Sequence, residues 1–349
     1  MEEYRIGELR HILTMVFLSG FAIFLVRPVM TDVTVAAVCS GINDSCSLAV
    51  YLTGVQQVTV GLGTMVMMPV IGSLSDRYGI KALLTLPMCL SILPPAILGY
   101  RRDTNFFFAF YITKTLFDMV CRGAVDCLSQ AYVAKNVQGK KRIAMFGVLA
   151  GVKTISGVFA TFSARFLPVA STFQYSMKAR FGFKKNDFAE LFLLDHIIGS
   201  TSQLFILPIL VSAIGERWVL STGLLMEFLN AACLSVAWSA WVPYATTVLV
   251  PGAMFVMPSI CGIASRQVGS GEQGKVQGCL AGVKSLAGVL APCIFSPLTA
   301  LFLSENAPFY FPGFSLLCIA FSLMIGFLLS LLLKDLHSPL VNKAINKTS

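Results

Sequence analysis

Charge is scarce in this sequence. Of its 349 residues only 12% are Asp, Glu, Lys or Arg, with three histidines and three tryptophans. A soluble domain carries roughly 25%. The 56% apolar share is more than one water-soluble domain of this length can bury, so disorder, a disulfide-rich scaffold and a nucleic-acid-binding fold are excluded. Segments of alternating polarity are absent, which leaves a membrane β-barrel without support. The ten cysteines include no Cys-x-x-Cys spacing, and no metal-ligand set or nucleophile–base pair stands at usable spacing. Neither an enzymatic site, a metal nor a cofactor is expected. Gly269-x-x-x-x-Gly274-Lys275 matches most of a phosphate-binding loop. It ends in Val276 where a hydroxyl must meet magnesium, and it follows an apolar helix where a strand is required. Nucleotide hydrolysis is set aside, and a gradient would have to drive any active transport.

What is present is long stretches without charge. Ser45–Ser75 has none in 31 residues, Phe228–Ser265 none in 38, and Asn306–Leu333 none in 28. About 20 mostly apolar residues cross a bilayer as a helix, and the 38-residue run divides at Trp241–Pro243. Ten spans are predicted, at about 11–38, 48–74, 82–100, 106–134, 143–167, 187–213, 218–240, 243–265, 276–303 and 309–333. The chain reads as an all-α, multi-pass integral membrane protein, and the net charge of +9 fits basic loops in a membrane protein better than a polyanion partner.

With the N-terminus cytosolic, the segments on that side hold 14 of the 26 basic residues and the outer loops six. This bias predicts cytosolic termini. The first apolar run is too long for a cleavable signal and lacks a clear cleavage site, so it is expected to stay as an anchor. Eight cysteines are scattered singly and read as small apolar residues. Cys39 and Cys46 flank one outer loop, which also holds the sequon Asn43-Asp44-Ser45, and could pair there.

An internal repeat organises the chain. Gly147–Ala160 (GVLAGVKTISGVFA) and Gly278–Ala291 (GCLAGVKSLAGVLA) share nine of fourteen residues at an offset of 131. Asp76-Arg77-Tyr78 and Glu216-Arg217-Trp218 give a weaker match at offset 140. Membrane proteins made of two parallel repeats are typically secondary transporters with a midplane site at the repeat interface.

These residues carry a family resemblance. The stretch Gly72-Ser73-Leu74-Ser75-Asp76-Arg77-Tyr78-Gly79-Ile80-Lys81 resembles the G-x-x-x-D-R-x-G-R-R/K loop of the major facilitator superfamily. Pro28-Val29, Ala131-Tyr132 and Gly274-x-x-Gln277-Gly278 resemble its tetracycline-efflux-like branch, which includes the hippocampus-abundant-transcript-like proteins. The resemblance implies a two-repeat helical bundle, normally of twelve helices, that moves a small solute. Two departures stand out: Ile80 replaces a basic residue of the loop, and Val158 follows Gly157 where the antiporter signature has proline. Twelve spans also predict a repeat offset near 180 (about 20 residues per span plus loops), so about ten helices instead of twelve are expected, with the family's helices six and seven missing. The division expected is residues 1–168 as an N-terminal bundle of five spans, 169–186 as a shortened linker, and 187–349 as a C-terminal bundle of five spans with a short tail.

Candidate functional residues follow. Gly72, Asp76, Arg77, Gly79 and Lys81 form the loop motif, whose family role is gating, although a solvated turn would have the same composition. Lys114, Asp118, Arg122 and Asp126 alternate in sign every four residues along the fourth predicted span, which keeps them near one face of a continuous helix. Lys153 and Lys284 stand at equivalent places in the two repeats, near mid-span, and a cation pair there suits an anionic solute. Asp118, Asp126, Asp195 and Glu227 are the available partners for these lysines, and Asp195-His196 is a candidate proton relay or a plain hydrogen-bonded pair. All of these are candidates for translocation or proton coupling. The leading reading is a secondary active transporter of a small solute, coupled to protons and embedded in the lipid bilayer, with no nucleic-acid partner. The second is a non-transporting variant that binds or regulates a full-length relative.

Overall fold

The computed structural model describes residues 9–24, 34, 47–100, 103–137, 141–164, 183, 185–303, 311 and 313–333. Among them there is no strand. The helices are α1 (Leu9–Phe24), α2 (Ser47–Tyr78), α3 (Ile80–Leu90), α4 (Leu93–Tyr100), α5 (Thr104–Cys121), α6 (Ala124–Asn136), α7 (Lys141–Ala164), α8 (Lys185–Thr201), α9 (Leu207–Ile214), α10 (Glu216–Ser235), α11 (Val242–Thr246), α12 (Val250–Arg266), α13 (Gln273–Leu303) and α14 (Phe314–Leu332). A π-helical turn, Ser202–Ile206, joins α8 to α9. Eight stretches among the described residues are long and apolar enough to cross a membrane. The Pro28-Val29, Cys39, Cys46 and Asn43 expectations, and nearly all of the 169–186 linker, lie outside the described residues.

Where the described residues cover them, the predicted spans are mainly helical, and the largest departure lies in the fourth. That span is two helices, because Arg122 takes an extended ψ of 115° and Gly123 the left-handed φ of 85°. A residue with a Cβ is strained there, whereas glycine is not, so α5 ends and α6 sets off on a new axis. The sequence pattern of 106–134 does not reveal this, since a lone glycine is tolerated within a helix. A second correction concerns the weaker repeat. Gly79 (φ 90°) and Gly215 (φ 83°) each stand between two consecutive helices, which sets Ile80 opposite Glu216 at an offset of 136. Glu216 is therefore not the counterpart of Asp76.

Packing rather than hydrophobic transfer decides which faces meet, because lipid tails are as apolar as leucine. The main core gathers Ile12 and Val16 of α1, Met68 and Ile71 of α2, Leu84 of α3, Leu128 and Tyr132 of α6, Phe146 and Leu149 of α7, and Cys261 of α12. Leucines, isoleucines and aromatics stay exposed round the outside, as lipid contact requires: Ile209 is 68% and Leu332 75% exposed.

Two seams join the helices before residue 165 to those after 184. The α2–α13 seam is the more extensive, and the other sets α7 against α8, the π-turn and α12. In the α2–α13 seam, backbones touch at glycines. A Cβ on Gly282 would come within 2.8 Å of the Met65 carbonyl oxygen, and one on Gly72 within 2.8 Å of the Gly274 carbonyl carbon. Pro69 has no amide proton for the Met65 carbonyl, and the bare Cα of Gly282 lies against that same turn.

Candidate functional site

The loop motif closes one end of the α2–α13 seam. Asp76 follows Gly72 by one turn of α2, and its carboxylate accepts hydrogen bonds from the backbone N–H of Gly274 (3.0 Å) and Lys275 (2.9 Å). These are among the first amides of α13, which have no intrahelical partner, and the positive end of the helix dipole favours a carboxylate there. Ser75 is buried and bonds back to the Gly72 carbonyl at 2.7 Å. Gly79 makes the turn, and Arg77 and Lys81 stand exposed beside it.

The same end carries further cross-links. Arg142, at the start of α7, donates to the Ser265 carbonyl (3.0 Å) and hydroxyl (3.1 Å) on α12. Arg266 forms an ion pair with Glu216. The Gln273 amide donates to the Ser265 carbonyl at 2.9 Å. None of these links was visible as a motif. Arg142 and Gln273 do share the 131 offset, so the repeat itself was the available signal.

Farther along the bundle, the break at Gly123 divides the charged row. Lys114 pairs with Asp118 one turn on, at 2.8 Å along α5. Arg122 is exposed at the break. Asp126, on α6, turns to a different helix and pairs with Lys153 of α7. The alternation Lys-Asp-Arg-Asp is therefore not one ladder, and the break delivers Asp126 to Lys153. Of the four acids available to the two lysines, only Asp126 reaches one of them among the described residues. Gly20 of α1 sits directly over this pair: a Cβ there would lie 3.2 Å from Lys153 Cγ.

Asp195 and His196 lie on α8 at the α7 seam. His196 Nδ1 donates to the Phe192 carbonyl at 2.6 Å, its ring stands edge-on to Phe24 with centroids 5.4 Å apart, and a Cβ on Gly157 would meet it at Nε2. The two residues are not bonded to each other. Asp195 Oδ1 is buried with no hydrogen-bond partner among the described residues. Glu227, half-buried on α10, meets no lysine among the described residues. Two polar residues escaped the sequence reading. Gln203, 3% exposed, accepts from Thr154 of α7 (2.9 Å) and donates to the Met254 carbonyl of α12 (3.1 Å). Gln130 of α6 accepts a weak hydrogen bond from Cys261 Sγ at 3.7 Å. The π-turn that carries Gln203 left no trace in the sequence pattern.

The comparisons with known proteins agree on the fold. No family model matches the chain. The human hippocampus abundant transcript-like protein 1 is 25% identical over 161 residues, which is 44% of this chain and 32% of that protein. The class C tetracycline resistance protein of Escherichia coli is 27% identical over 104 residues, 30% of this chain and 26% of its own. The matched region thus spans about a third or less of these relatives. Among solved structures, the human organic anion transporter MFSD10 (TETRAN) superposes with a TM-score of 0.74 at 15% identity, covering 90% of this chain and 99% of that one. The proton:xylose symporter XylE gives 0.66 at 12% identity, covering 92% and 94%. The protein is a multi-pass helical membrane protein with the major facilitator fold. Over part of its length its sequence is similar to hippocampus-abundant-transcript-like and tetracycline resistance proteins.

Proposed function

We propose that this chain is a secondary active transporter of a small solute, driven by protons and working by alternating access. The observation that carries the reading is the partly buried Asp126–Lys153 ion pair, which bridges two helices within the apolar bundle. Charges at that depth are costly unless they are used. Asp76 at the start of α13 is the gate contact in this reading, and both termini are cytosolic. Asp195, with its unpartnered buried oxygen, is the candidate proton carrier. The symmetric lysines Lys153 and Lys284 favour an anionic solute, as does the name of one structural neighbour, an organic anion transporter. The test is uptake of a panel of small organic anions into proteoliposomes under an imposed proton gradient. The expected result is gradient-dependent uptake of at least one anion, lost in Lys153→Ala. Absence of uptake for every member rejects transport by this chain alone.

One observation favours the second reading, a variant that acts by binding a full-length relative. In the second half, α14 covers α10, sealed by the buried Ser221–Ser330 hydroxyl pair at 2.8 Å. In the 136 register, Thr85 of α3 stands where α10 has Ser221, and it is exposed, with no helix in the place of α14 among the described residues. A family helix six would occupy that place. Inserting two apolar spans and a cytosolic loop near residues 172–175 is expected to raise proton-driven flux at matched membrane expression. Equal flux from both proteins rejects this second reading.

A further inference from the structure

The two repeat lysines are not equivalent in their surroundings. Shifting Asp126 by the 131 residues that relate Lys153 to Lys284 arrives at Met257, while the same shift takes Gln130 to Cys261 and Lys135 to Arg266. The fold respects this register: Gln130 and Cys261, exactly one offset apart, face each other across the bundle. Met257 packs against the core cluster that contains Cys261. The first half thus supplies a carboxylate to its lysine, and the second half supplies a thioether at the corresponding place. Lys284 has no ion-pair partner among the described residues.

Lys284 also points toward the bundle axis. Gln277, seven residues earlier and hence about 20° away round the helix, is fully buried and donates to the Cys261 carbonyl at 3.3 Å. Ala281, between them on the same stripe, packs against the main core. The sector facing α2 is taken by Gly278 and Gly282. Cys279, Val283, Leu290 and Ile294 are exposed residues of the lipid-facing side, and they lie roughly 80–140° round the helix from Lys284. Lys284 is nevertheless exposed, and a Cβ on Gly288, one turn farther on, meets nothing within 4 Å. The Lys284 side chain therefore extends from the stripe of Gln277 and Ala281 into open space beside Gly288.

We propose that Lys284 is the anion-binding cation of the central path, and that it is free for this because Met257 replaces an aspartate. The Asp126–Lys153 pair cancels its own charge, so the site carries one net positive charge and takes a small organic monoanion through a charge-assisted hydrogen bond to its carboxylate. This assignment deepens the transporter reading and rests on it for its physiological meaning.

The experiment places a reporter at the open position. The full chain carrying Gly288→Cys is reconstituted in lipid nanodiscs. It is labelled with an anionic sulfonatoethyl or a cationic trimethylammonioethyl thiosulfonate, and modification of residue 288 is read by site-resolved mass spectrometry. The anionic reagent is expected to gain about tenfold over the ratio measured with a free thiol, the lower end of what a focused field does to rates. Lys284→Met should return the ratio to the free-thiol value, and Lys284→Arg should keep it. Met257→Asp should abolish the gain with Lys284 still present. Benzoate should slow labelling, and the neutral benzamide should not. A ratio indifferent to Lys284→Met, or equal protection by benzoate and benzamide, overturns the proposal. Labelling needs no turnover, so an intact ratio in a chain without flux rejects only the transporter reading.

Discussion

The two seams between the early and late helices are built from different materials. Between α2 and α13 the contact is backbone on backbone. Gly72, Gly274, Gly278 and Gly282 let the chains close to distances that a single methyl group would prevent, and Ser75 and Asp76 add polar side chains at one end. Between α7 and its partners α8 and α12, side chains fill the gap. Thr154, Gln203 and the Met254 carbonyl form a buried relay, and Arg142 reaches Ser265. A seam of the first kind has little tolerance, because any outward step of one helix loses most of its dispersion contact at once. A seam of the second kind can exchange partners, and a π-turn adds a residue whose hydrogen bonding is already irregular. The difference assigns rigidity to one side of the molecule and adjustability to the other.

The largest effect is expected where that rigidity is challenged. Gly278→Leu drives a branched side chain into the Met68–Pro69 backbone of α2, which cannot withdraw as a flexible side chain would. Overpacking alone costs about 1–3 kcal/mol, and here the seam must part. The thermal midpoint in detergent should fall by several degrees or the folded protein should be lost. Gly288→Leu, on the same helix but facing open space, should leave the midpoint nearly unchanged. Equal effects of the two substitutions would mean that the seam is not the tight contact described.

Next in size is the charge pair. Asp126→Asn strands Lys153 across two helices, whereas Asp118→Asn strands Lys114 one turn away within α5. An i,i+4 helix pair is worth only about 0.3–0.5 kcal/mol, so Asp118→Asn should alter the midpoint little. Asp126→Asn should cost at least tenfold in proton-driven flux. If Asp118→Asn lowers flux as much as Asp126→Asn, the separation of the two pairs by the Gly123 break has no functional consequence.

These contrasts also mark how far the sequence could be read. The spans were legible because lipid imposes length and forbids charge: the charge-free run Asn306–Leu333 encloses α14, and Ser45–Ser75 overlaps nearly all of α2. The matched spacing of Lys153 and Lys284 is a reading of the sequence alone, from the 131-residue offset. The partner of Lys153 was not legible, because four acids were available and helix rotation decides among them. The periodicity argument for a single charged face was sound for a straight helix and failed at one left-handed glycine. Offset 140 for Glu216 failed for a related reason: matched dipeptides outweighed the glycines that set the helix starts. Gln203 was invisible because the polarity of a lone glutamine does not say which seam it will enter.

The seam of side chains offers the next prediction. Gln203→Met keeps the volume and removes both hydrogen bonds, leaving the Thr154 hydroxyl to its helical carbonyl and the Met254 carbonyl without the amide. Interhelical hydrogen bonds in membranes average about 0.6 kcal/mol, so a small drop in the midpoint is expected. A loss as large as that of Gly278→Leu would make this seam as intolerant as the other and erase the distinction.

The smallest stability effect is expected at Asp76, and it tests whether the α2–α13 seam is held by its glycines or by its polar end. Asp76→Asn keeps an oxygen able to accept from Gly274 or Lys275 but removes the charge that favours the start of α13. A carboxylate near a helix N-terminus contributes about 0.3–1 kcal/mol when exposed to solvent, and Asp76 is only partly buried. The glycine contacts from Gly72 to Gly282 persist in the variant, so the seam should stay closed at rest, and the midpoint should fall by about a degree or less. The carboxylate acts on the equilibrium between closed and open forms of this end, where a fraction of a kcal/mol changes populations severalfold. Accessibility of a cysteine placed at Ser73, half-buried next to Gly72, reads that equilibrium directly: its modification rate should rise about two- to fivefold in Asp76→Asn. A rate that does not change would assign closure of this end to backbone packing alone and reduce the loop motif to a helix cap.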